Sequence, residues 1–238
     1  MTMLLEARDV VSGYLNRPVL HGVSAQVSEG EVLAVIGPNG HGKTTFLRTL
    51  SGFLDFRSGE FSFAGKRLEA ASVHARVEAG LIHVPQGDQL FADMSVQENL
   101  LMGAYLVSDP TLIAERLERV FTLFPRLKER RAQIASSLSG GERRMVGIGR
   151  GLMGDARLLM LDEPSLGLAP LLIEQIYTAL AALRQEGYSF LIVEENPSRL
   201  MSFADRISLL DAGRIVWSGT TEEARQSKDI LTTYLGGH

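Results

Sequence analysis

A glycine-rich stretch at residues 37–44 carries the residue types that bind nucleotide phosphates. It reads GPNGHGKT and places Gly37, Gly42, Lys43 and Thr44 in the pattern Gly-x-x-x-x-Gly-Lys-Thr. Glycines let backbone N–H groups close around phosphate oxygens, and the helix that follows directs the positive end of its dipole at the same anion. Lys43 would neutralise the outer phosphates, and the Thr44 hydroxyl would contribute to a Mg²⁺ site.

The flanking sequence supports a phosphate loop over a chance glycine-rich turn. An apolar run at residues 31–36 predicts a strand before the loop, and a helical pattern follows it. His41 stands at an unconstrained position of the pattern, so we expect it to face solvent. The predicted nucleotide contacts of this stretch are Gly37, Pro38, Asn39, Gly40, His41, Gly42, Lys43, Thr44 and Thr45.

Two carboxylates follow an apolar run at residues 158–161. In a parallel sheet such a strand end lies beside the bound ligand, so Asp162 would hold Mg²⁺, directly or through water. Glu163 would polarise the attacking water as a general base. The alternative is a buried strand that surfaces at an Asp-Glu-Pro turn, and the phosphate loop in the same chain favours the functional interpretation.

The segment LSGGE, residues 138–142, has the form of a helix start. Ser139 with Glu142 three residues later is a capping box, and Gly140 and Gly141 would expose N–H groups at the same helix end. A helix end of this kind binds anions, yet the phosphates of this chain are already held by residues 37–45. A second anion site therefore suggests a second nucleotide that is bound mainly by another chain.

The pattern along the chain alternates strands and helices. Residues 1–36 suggest a β meander with turns at Ser12-Gly13 and Glu29-Gly30, and residues 56–68 suggest a hairpin. Residues 95–135 have helical periods, and strands at 157–161, 188–193, 207–210 and 214–217 follow, with a helix at 171–185 and another at the C-terminus. This order implies a mostly parallel sheet covered by helices.

The composition limits which classes of protein this chain can belong to. The 238 residues are 45% hydrophobic and 22% charged, which allows one large globular domain. The net charge of -4 argues against a sequence-independent coat for nucleic acid, and no nucleic-acid partner is expected. Cysteine is absent, which excludes disulfides. Without a long apolar run or a signal-peptide pattern, we expect a cytosolic chain whose membrane role goes through a partner.

The chain resembles the ATP-binding cassette (ABC) ATPases over essentially its whole length. The resemblance rests on GPNGHGKTT, LSGGE and LLMLDEP in that order. It implies an α/β P-loop NTPase fold with a parallel-sheet core, an antiparallel β subdomain and a helical subdomain. Residues 1–238 would form one domain, with a nucleotide-binding core at 1–94 and 136–238 and a helical lobe at 95–135. It also implies ATP and Mg²⁺ as cofactors.

In that family two cassettes dimerise head to tail, so that Ser139, Gly140, Gly141 and Glu142 of one chain would close on ATP at the phosphate loop of the other. The resemblance further implies that Tyr14 stacks on adenine, although a core tyrosine is the alternative. It implies that Gln86 reaches Mg²⁺ and the attacking water and links the core to the helical lobe. The catalytic set is then Glu163, Gln86 and Lys43, and the metal set is Thr44, Gln86 and Asp162.

The sequence departs from the family pattern in two places. Where the family has a switch residue, usually His, this chain has Glu195, and a carboxylate there would repel the γ-phosphate unless it is protonated or turned away. Our hypothesis is that Glu195 points away or that hydrolysis is slow. Gly147, Gly149 and Gly151 also interrupt the helix after LSGGE, where each costs up to about 1 kcal/mol of helix propensity.

Further strings are similar to one branch of the family. SLGLAP, VPQG, SVQENLLMGA and YLGGH resemble the ATP-binding subunits of branched-chain amino acid importers, with relatives that serve urea and short amides. The implied partners are membrane permease subunits, a periplasmic solute-binding protein and a second cassette, at the cytoplasmic face of the inner membrane. Alternatives are a lipopolysaccharide-export ATPase, suggested by LSGGERR, a non-transport cassette acting on DNA or the ribosome, and a module that binds nucleotide without turnover.

Overall fold

The computed structural model describes residues 2–87, 89–196 and 200–226, which form two β-sheets with helices around them. The strands are β1 (Met3–Tyr14), β2 (Arg17–Ser28), β3 (Val32–Ile36), β4 (Ser58–Phe63), β5 (Lys66–Arg67), β6 (Leu81–Val84), β7 (Leu158–Asp162), β8 (Ser189–Glu194), β9 (Arg206–Asp211) and β10 (Arg214–Thr220). The helices are α1 (Lys43–Leu50), α2 (Val73–Glu78), α3 (Val96–Met102), α4 (Pro110–Leu123), α5 (Pro125–Glu129), α6 (Gly140–Leu152), α7 (Pro170–Gln185), α8 (Leu200–Phe203) and α9 (Thr221–Gln226), with a 3₁₀ turn at Ala135–Ser137.

The larger sheet has the order β10-β9-β3-β8-β7-β6 and is parallel from β9 to β6. Its central strands β3, β7 and β8 are buried along their whole length because both faces of the sheet are covered. In β3, Val32, Ala34 and Ile36 join one hydrophobic core, whereas Leu33 and Val35 join the other. This confirms the predicted α/β architecture with a parallel-sheet core.

Parallel pairing explains how distant sequence segments come together. Strands β3, β6, β7 and β8 run in one direction, so their carboxyl ends meet at one edge of the sheet. Beyond that edge lie the phosphate loop after β3, Gln86 after β6, Glu163 after β7 and Glu195 after β8. Segments as far apart along the chain as Asn39 and Glu195, which are 156 residues apart, thus share one rim, as is usual for ligand sites in α/β sheets.

The smaller sheet is antiparallel and has the order β2-β1-β4-β5. The predicted turn at Ser12-Gly13 is wrong, because β1 continues to Tyr14 and pairs Tyr14 with Arg17. The hairpin closes instead at Leu15 and Asn16, where Leu15 adopts φ 48. The predicted turn at Glu29-Gly30 is present.

Helices α3, α4 and α5 occupy the segment for which a helical lobe is predicted. They pack on α6, and Val96, Leu100, Val120 and Leu127 belong to the same hydrophobic core as the larger sheet. The division at residues 95 and 135 stays an interpretation, because that core is continuous across it.

Two of the glycines in α6 have a packing role. A Cβ at Gly149 would lie 2.7 Å from Val120 Cγ1, and a Cβ at Gly151 would lie 3.0 Å from Val84 Cγ2. The cost in helix propensity is therefore offset by close approach of α6 to the helical segment on one side and to the sheet on the other.

The remaining predicted elements match the structure to within a few residues, including the strands now labelled β7, β8, β9 and β10 and the helix α7. The predicted C-terminal helix is represented by α9, and residues 227–238 lie outside the described part of the chain. Across the described ranges, every helix is too short or too polar to cross a bilayer.

Candidate functional site

The phosphate loop ends in a helix whose first turn has no side-chain cap. Gly42 is the N-cap of α1 and adopts φ 109, a left-handed conformation that a residue with a Cβ rarely takes. The first N–H groups of a helix lack partners within it, and here no side chain accepts a hydrogen bond at the cap. An anion in the loop would therefore meet these donors together with the helix dipole.

Lys43 lies buried at the start of α1, with its ammonium group inside the loop. Its Nζ donates hydrogen bonds to the carbonyl oxygens of Gly37 at 2.8 Å and Pro38 at 3.2 Å. The same Nζ lies 3.2 Å from Glu163 Oε1, and both side chains are at most 5% exposed. The predicted phosphate ligand and the predicted general base thus form a buried ion pair.

Thr44 and Asp162 provide an oxygen-rich position next to this pair. The Thr44 hydroxyl donates to Asp162 Oδ1 at 3.1 Å, and the Gln86 backbone N–H also bonds the Asp162 carboxylate. Burial raises the Asp162 pKa above its ordinary value, partly countered by the Thr44 hydrogen bond, while Asp162 Oδ2 is buried without a partner. Oxygen donors of this kind, with one buried lone-pair site unused, suit a hard cation such as Mg²⁺.

Glu163 is held in an uncommon backbone conformation at the end of β7. Its φ is 47, which non-glycine residues seldom adopt outside functional turns. Its N–H donates to the Val193 carbonyl oxygen at 2.9 Å, and Gln86 Nε2 lies 3.5 Å from Glu163 Oε2. The turn thus presents the carboxylate to both Gln86 and Lys43.

A cleft of about 300 Å³ brings together part of the phosphate loop and two of the predicted catalytic side chains beside it. The residues that line it are Asn39, Gly40, Gly42, Lys43, Thr44, Thr45, Gln86, Glu163 and Leu166. Gln86 and Glu163 enter it from separate strands, so the fold brings them to the phosphate loop as the sequence predicts. The predicted contacts that do not line it are Tyr14, Gly37, Pro38, His41, Asp162, Ser139, Gly140, Gly141 and Glu142.

Tyr14 lies at the end of β1 and is 40% exposed, so it is not the core tyrosine of the alternative interpretation. Arg48 Nη1 lies 3.5 Å from its hydroxyl oxygen. An exposed aromatic ring can stack on a base, and the role of Tyr14 stays a prediction.

The N-terminus of α6 differs from that of α1 because it is fully capped. The Ser139 hydroxyl oxygen accepts from the Glu142 N–H at 3.4 Å, and Glu142 Oε2 accepts from the Ser139 N–H at 2.9 Å. Arg130 Nε lies 2.8 Å from the other Glu142 oxygen. Burial alone would raise the Glu142 pKa, but the Ser139 hydrogen bonds and Arg130 outweigh it and the pKa is lowered.

Two polar residues at the loop have partners that the sequence did not indicate. The side chain of His41 is 36% exposed, in line with the expectation that it faces solvent, but its Nδ1 also lies 2.7 Å from Asp211 Oδ1. The end of β9 lies next to the loop, and this proximity brings the two side chains together. Glu195 does not turn away from the loop, because Asn39 Nδ2 donates to Glu195 Oε2 at 2.8 Å. Slow hydrolysis remains a prediction.

Sequence reasoning missed one carboxylate beside the site. Glu194, the last residue of β8, is 2% exposed and accepts a hydrogen bond from the Ser165 N–H at 2.9 Å. The signal was available in the sequence, since an acidic residue ends the apolar run at 190–193 just as Asp162 ends the run at 158–161.

Known proteins match this chain closely. The ABC transporter family profile matches residues 20–166. The high-affinity branched-chain amino acid transport ATP-binding protein BraG of Pseudomonas aeruginosa is 40% identical, with 96% of this chain and 98% of BraG covered. The lipopolysaccharide export system ATP-binding protein LptB of Acidithiobacillus ferridurans is 34% identical, with 99% and 98% covered.

A solved structure confirms the fold. The crystal structure of the ADP conformation of an ATP-binding cassette of an ABC transporter is 28% identical, with a TM-score of 0.84 over 99% of this chain and 100% of that one. The family profile covers more than half of the chain, and the match to BraG covers 96% of it. The chain therefore belongs to the ABC transporter family and is an ATP-hydrolysing cassette of a transporter.

Proposed function

We propose that this cassette powers a membrane importer of branched-chain amino acids, with ATP bound between two cassettes and Mg²⁺ as the metal. The substrate class is supported by the 40% identity to BraG and by the similar strings in the sequence. The site is supported by one observation above all: the phosphate loop, Gln86 and Glu163 line a single cleft.

The first step of the proposed cycle is exchange of partners at Lys43. The ammonium group is paired with Glu163, and the outer phosphates of ATP are stronger, multiply charged ligands for it. Phosphate binding would thus release Glu163 to accept a proton from the attacking water, with Gln86 orienting that water. Catalysis would come mainly from positioning and from stabilisation of phosphate charge.

The metal would be held by Thr44, Asp162 and Gln86. When bound, Mg²⁺ would neutralise the charge that develops on the phosphates during phosphoryl transfer. Asp162 has a buried oxygen without a partner, and Thr44 and Gln86 already hydrogen-bond its carboxylate. These residues would place the metal at the phosphate loop.

A second cassette would complete the nucleotide site. Ser139, Gly140 and Gly141 do not line the cleft that holds Lys43 and Glu163. We propose that they contact the ATP bound to a neighbouring chain, either a second copy or a sister cassette. ATP binding would then close the pair, and hydrolysis at Glu163 would open it.

The permease would dock in an apolar groove beside β6. The groove has a volume of about 780 Å³, and its wall includes the exposed rings of Phe53, Phe91 and Tyr105. Pro85 also lines it and is joined directly to Gln86, whose amide contacts Glu163. A permease segment with an apolar face would bury these rings and would be linked mechanically to the catalytic carboxylate.

The docking site can be tested with a charge on its apolar wall. Tyr105→Glu should abolish co-purification with the permease while the isolated cassette keeps its ATPase rate, because Tyr105 is 81% exposed and outside the cleft. Leu15→Glu is the matched control, since Leu15 is 98% exposed on the β1–β2 turn. Equal recovery of permease with both variants would contradict the docking site.

The substrate class is tested in the assembled transporter. The cassette, its permease and the periplasmic solute-binding protein are reconstituted in vesicles, with the cassette on the side that corresponds to the cytoplasm. Leucine, isoleucine or valine should stimulate ATP hydrolysis, whereas urea and short amides should not. Stimulation by urea or an amide alone would move the assignment to that related branch.

Lipopolysaccharide export is the second candidate, favoured by the 34% identity to LptB. An export cassette would co-purify with a transporter that needs no solute-binding protein, and lipopolysaccharide would stimulate its ATPase. Both candidates place the cassette peripherally on the cytoplasmic face of the inner membrane, so the stimulating solute distinguishes them.

A further inference from the structure

The carboxylate of Glu194 is buried next to the site and has no part in the mechanism above. Glu194 ends β8, the central strand between β3 and β7, and only 2% of it is exposed. A buried carboxylate is costly unless it is hydrogen-bonded, so its contacts indicate its function.

Those contacts connect Glu194 to the turn that carries the catalytic base. Glu194 Oε1 accepts from the Ser165 N–H at 2.9 Å and lies 3.5 Å from the Tyr177 hydroxyl of α7. Ser165 follows Glu163 by two residues, so the anchor is in the same turn as the base. The side chain of Glu194 therefore fixes a backbone position, and the neighbouring helix α7 holds that side chain.

The turn at residues 163–168 has a second anchor on the same strand. The Glu163 N–H donates to the Val193 carbonyl oxygen at 2.9 Å, one residue before Glu194. Inside the turn, the Leu166 N–H donates to the Glu163 carbonyl oxygen at 3.2 Å, and the Leu168 N–H donates to the Ser165 carbonyl oxygen at 3.3 Å. The uncommon φ of Glu163 thus depends on two attachments to the end of β8.

We propose that Glu194 is a positioning residue for ATP hydrolysis, which acts through the Ser165 N–H to hold Glu163 and the exposed Leu166 in their working places. The inference rests on the proposed role of Glu163 as the base. Because Leu166 lines the nucleotide cleft and is 44% exposed, the same anchor also shapes the surface that a second cassette would meet.

The charges around Glu194 give the proposal a measurable signature. Burial raises the Glu194 pKa to about 7, with a further upward effect from Glu163, while the Ser165 hydrogen bonds and Arg144 oppose the rise. The groups that face it are thus Glu163 on the turn, Arg144 on α6 and Tyr177 on α7. The ionised carboxylate is the better acceptor for Ser165, so turnover should rise with pH as Glu194 ionises.

The first arm of the test compares Glu194→Ala, Glu194→Gln and Glu163→Gln. Glu194→Ala loses the acceptor, and kcat should fall about tenfold or more while the KM for ATP changes about twofold at most, because misplacement of a base acts on chemistry rather than on phosphate binding. Glu194→Gln keeps an acceptor for Ser165 but loses the charge, so at pH 8 its kcat should lie between that of Glu194→Ala and that of the wild type. Thermal unfolding and binding of a fluorescent ATP analogue would confirm that each variant is folded.

The second arm measures kcat between about pH 6 and pH 8, where the wild type should rise and Glu194→Gln should stay flat. This arm does not depend on Glu194→Ala folding. Wild-type kcat in Glu194→Ala, or an unchanged pH profile in Glu194→Gln, would overturn the inference. If Glu163→Gln itself kept full activity, the assignment of the base would fail instead, so the two failures can be distinguished.

Discussion

Two helix N-termini in this chain look alike in sequence and differ in chemistry. Helix α1 begins after Gly42 with no side-chain cap, and a lysine ammonium lies among its loop carbonyls. Helix α6 begins after Ser139 with a complete capping box and the carboxylate of Glu142 at its end. Both are glycine-rich helix starts, yet only α1 leaves its first donors and a buried cation for an incoming anion.

The difference indicates that the two helix ends have different roles in nucleotide binding. The α1 end can bind a triphosphate without help, because its dipole, its N–H groups and Lys43 all favour negative charge. The α6 end already has a carboxylate of its own, so it should bind phosphate weakly and only when another chain presents it. This explains in physical terms why the two motifs of one chain would serve two different nucleotides.

Loss of Lys43 should have the largest effect. Lys43→Ala removes the cation for the outer phosphates and leaves Glu163 buried without its partner, so ATP turnover should fall by about 100-fold or more. ATPase assays and nucleotide binding would measure this, with Lys66→Ala, an exposed lysine on β5, as the control. If Lys43→Ala kept the wild-type turnover, the N-terminus of α1 would have no role in ATP hydrolysis.

A matched pair of caps tests the α6 end. Ser95 caps α3 with the same capping box that Ser139 forms at α6, so Ser95→Ala and Ser139→Ala should each lose about 1 kcal/mol of folding stability. Only Ser139→Ala should also lower ATP turnover, by about tenfold, because it removes a predicted contact to nucleotide. Turnover and thermal unfolding would be measured for both variants. Equal turnover would mean that Ser139 only caps its helix and does not contact nucleotide.

The smallest expected effect is at Glu195, which adds a carboxylate to the α1 side. Glu195→Gln can still accept from Asn39 but removes one negative charge near the phosphates, so the KM for ATP should fall about two- to fivefold at low salt and less at high salt. Glu60→Gln, an exposed acid on β4, serves as the control. An unchanged KM at both salt concentrations would mean that this charge does not reach the nucleotide.

Much of the fold and of the site could be predicted because the residues that indicate them lie close together along the chain. Strands β3, β6 and β7 are short apolar runs, and each is followed closely by a predicted site residue. The sequence therefore predicted that Lys43, Gln86 and Glu163 lie at one sheet edge. The capping box at Ser139 is likewise a contact across three residues.

The parts that sequence reasoning missed depend on contacts between distant segments. The pairing of His41 with Asp211 needs β9 beside β3, and the anchor from Glu194 to Ser165 needs β8 beside β7. The hairpin turn was misplaced because Ser12-Gly13 resembles a turn, whereas the register of β1 on β2 carries both residues in the strand. Periodicity does not specify such register.

The central claim is that one ATP is bound by the α1 end of one chain and the α6 end of another. The most direct measurement is sedimentation of Glu163→Gln with Mg-ATP, together with the wild-type turnover per chain over a dilution series. The account predicts an ATP-dependent species of twice the mass of one chain and a wild-type rate per chain that falls on dilution. A monomer that holds ATP, with a wild-type rate per chain that stays constant on dilution, would contradict it.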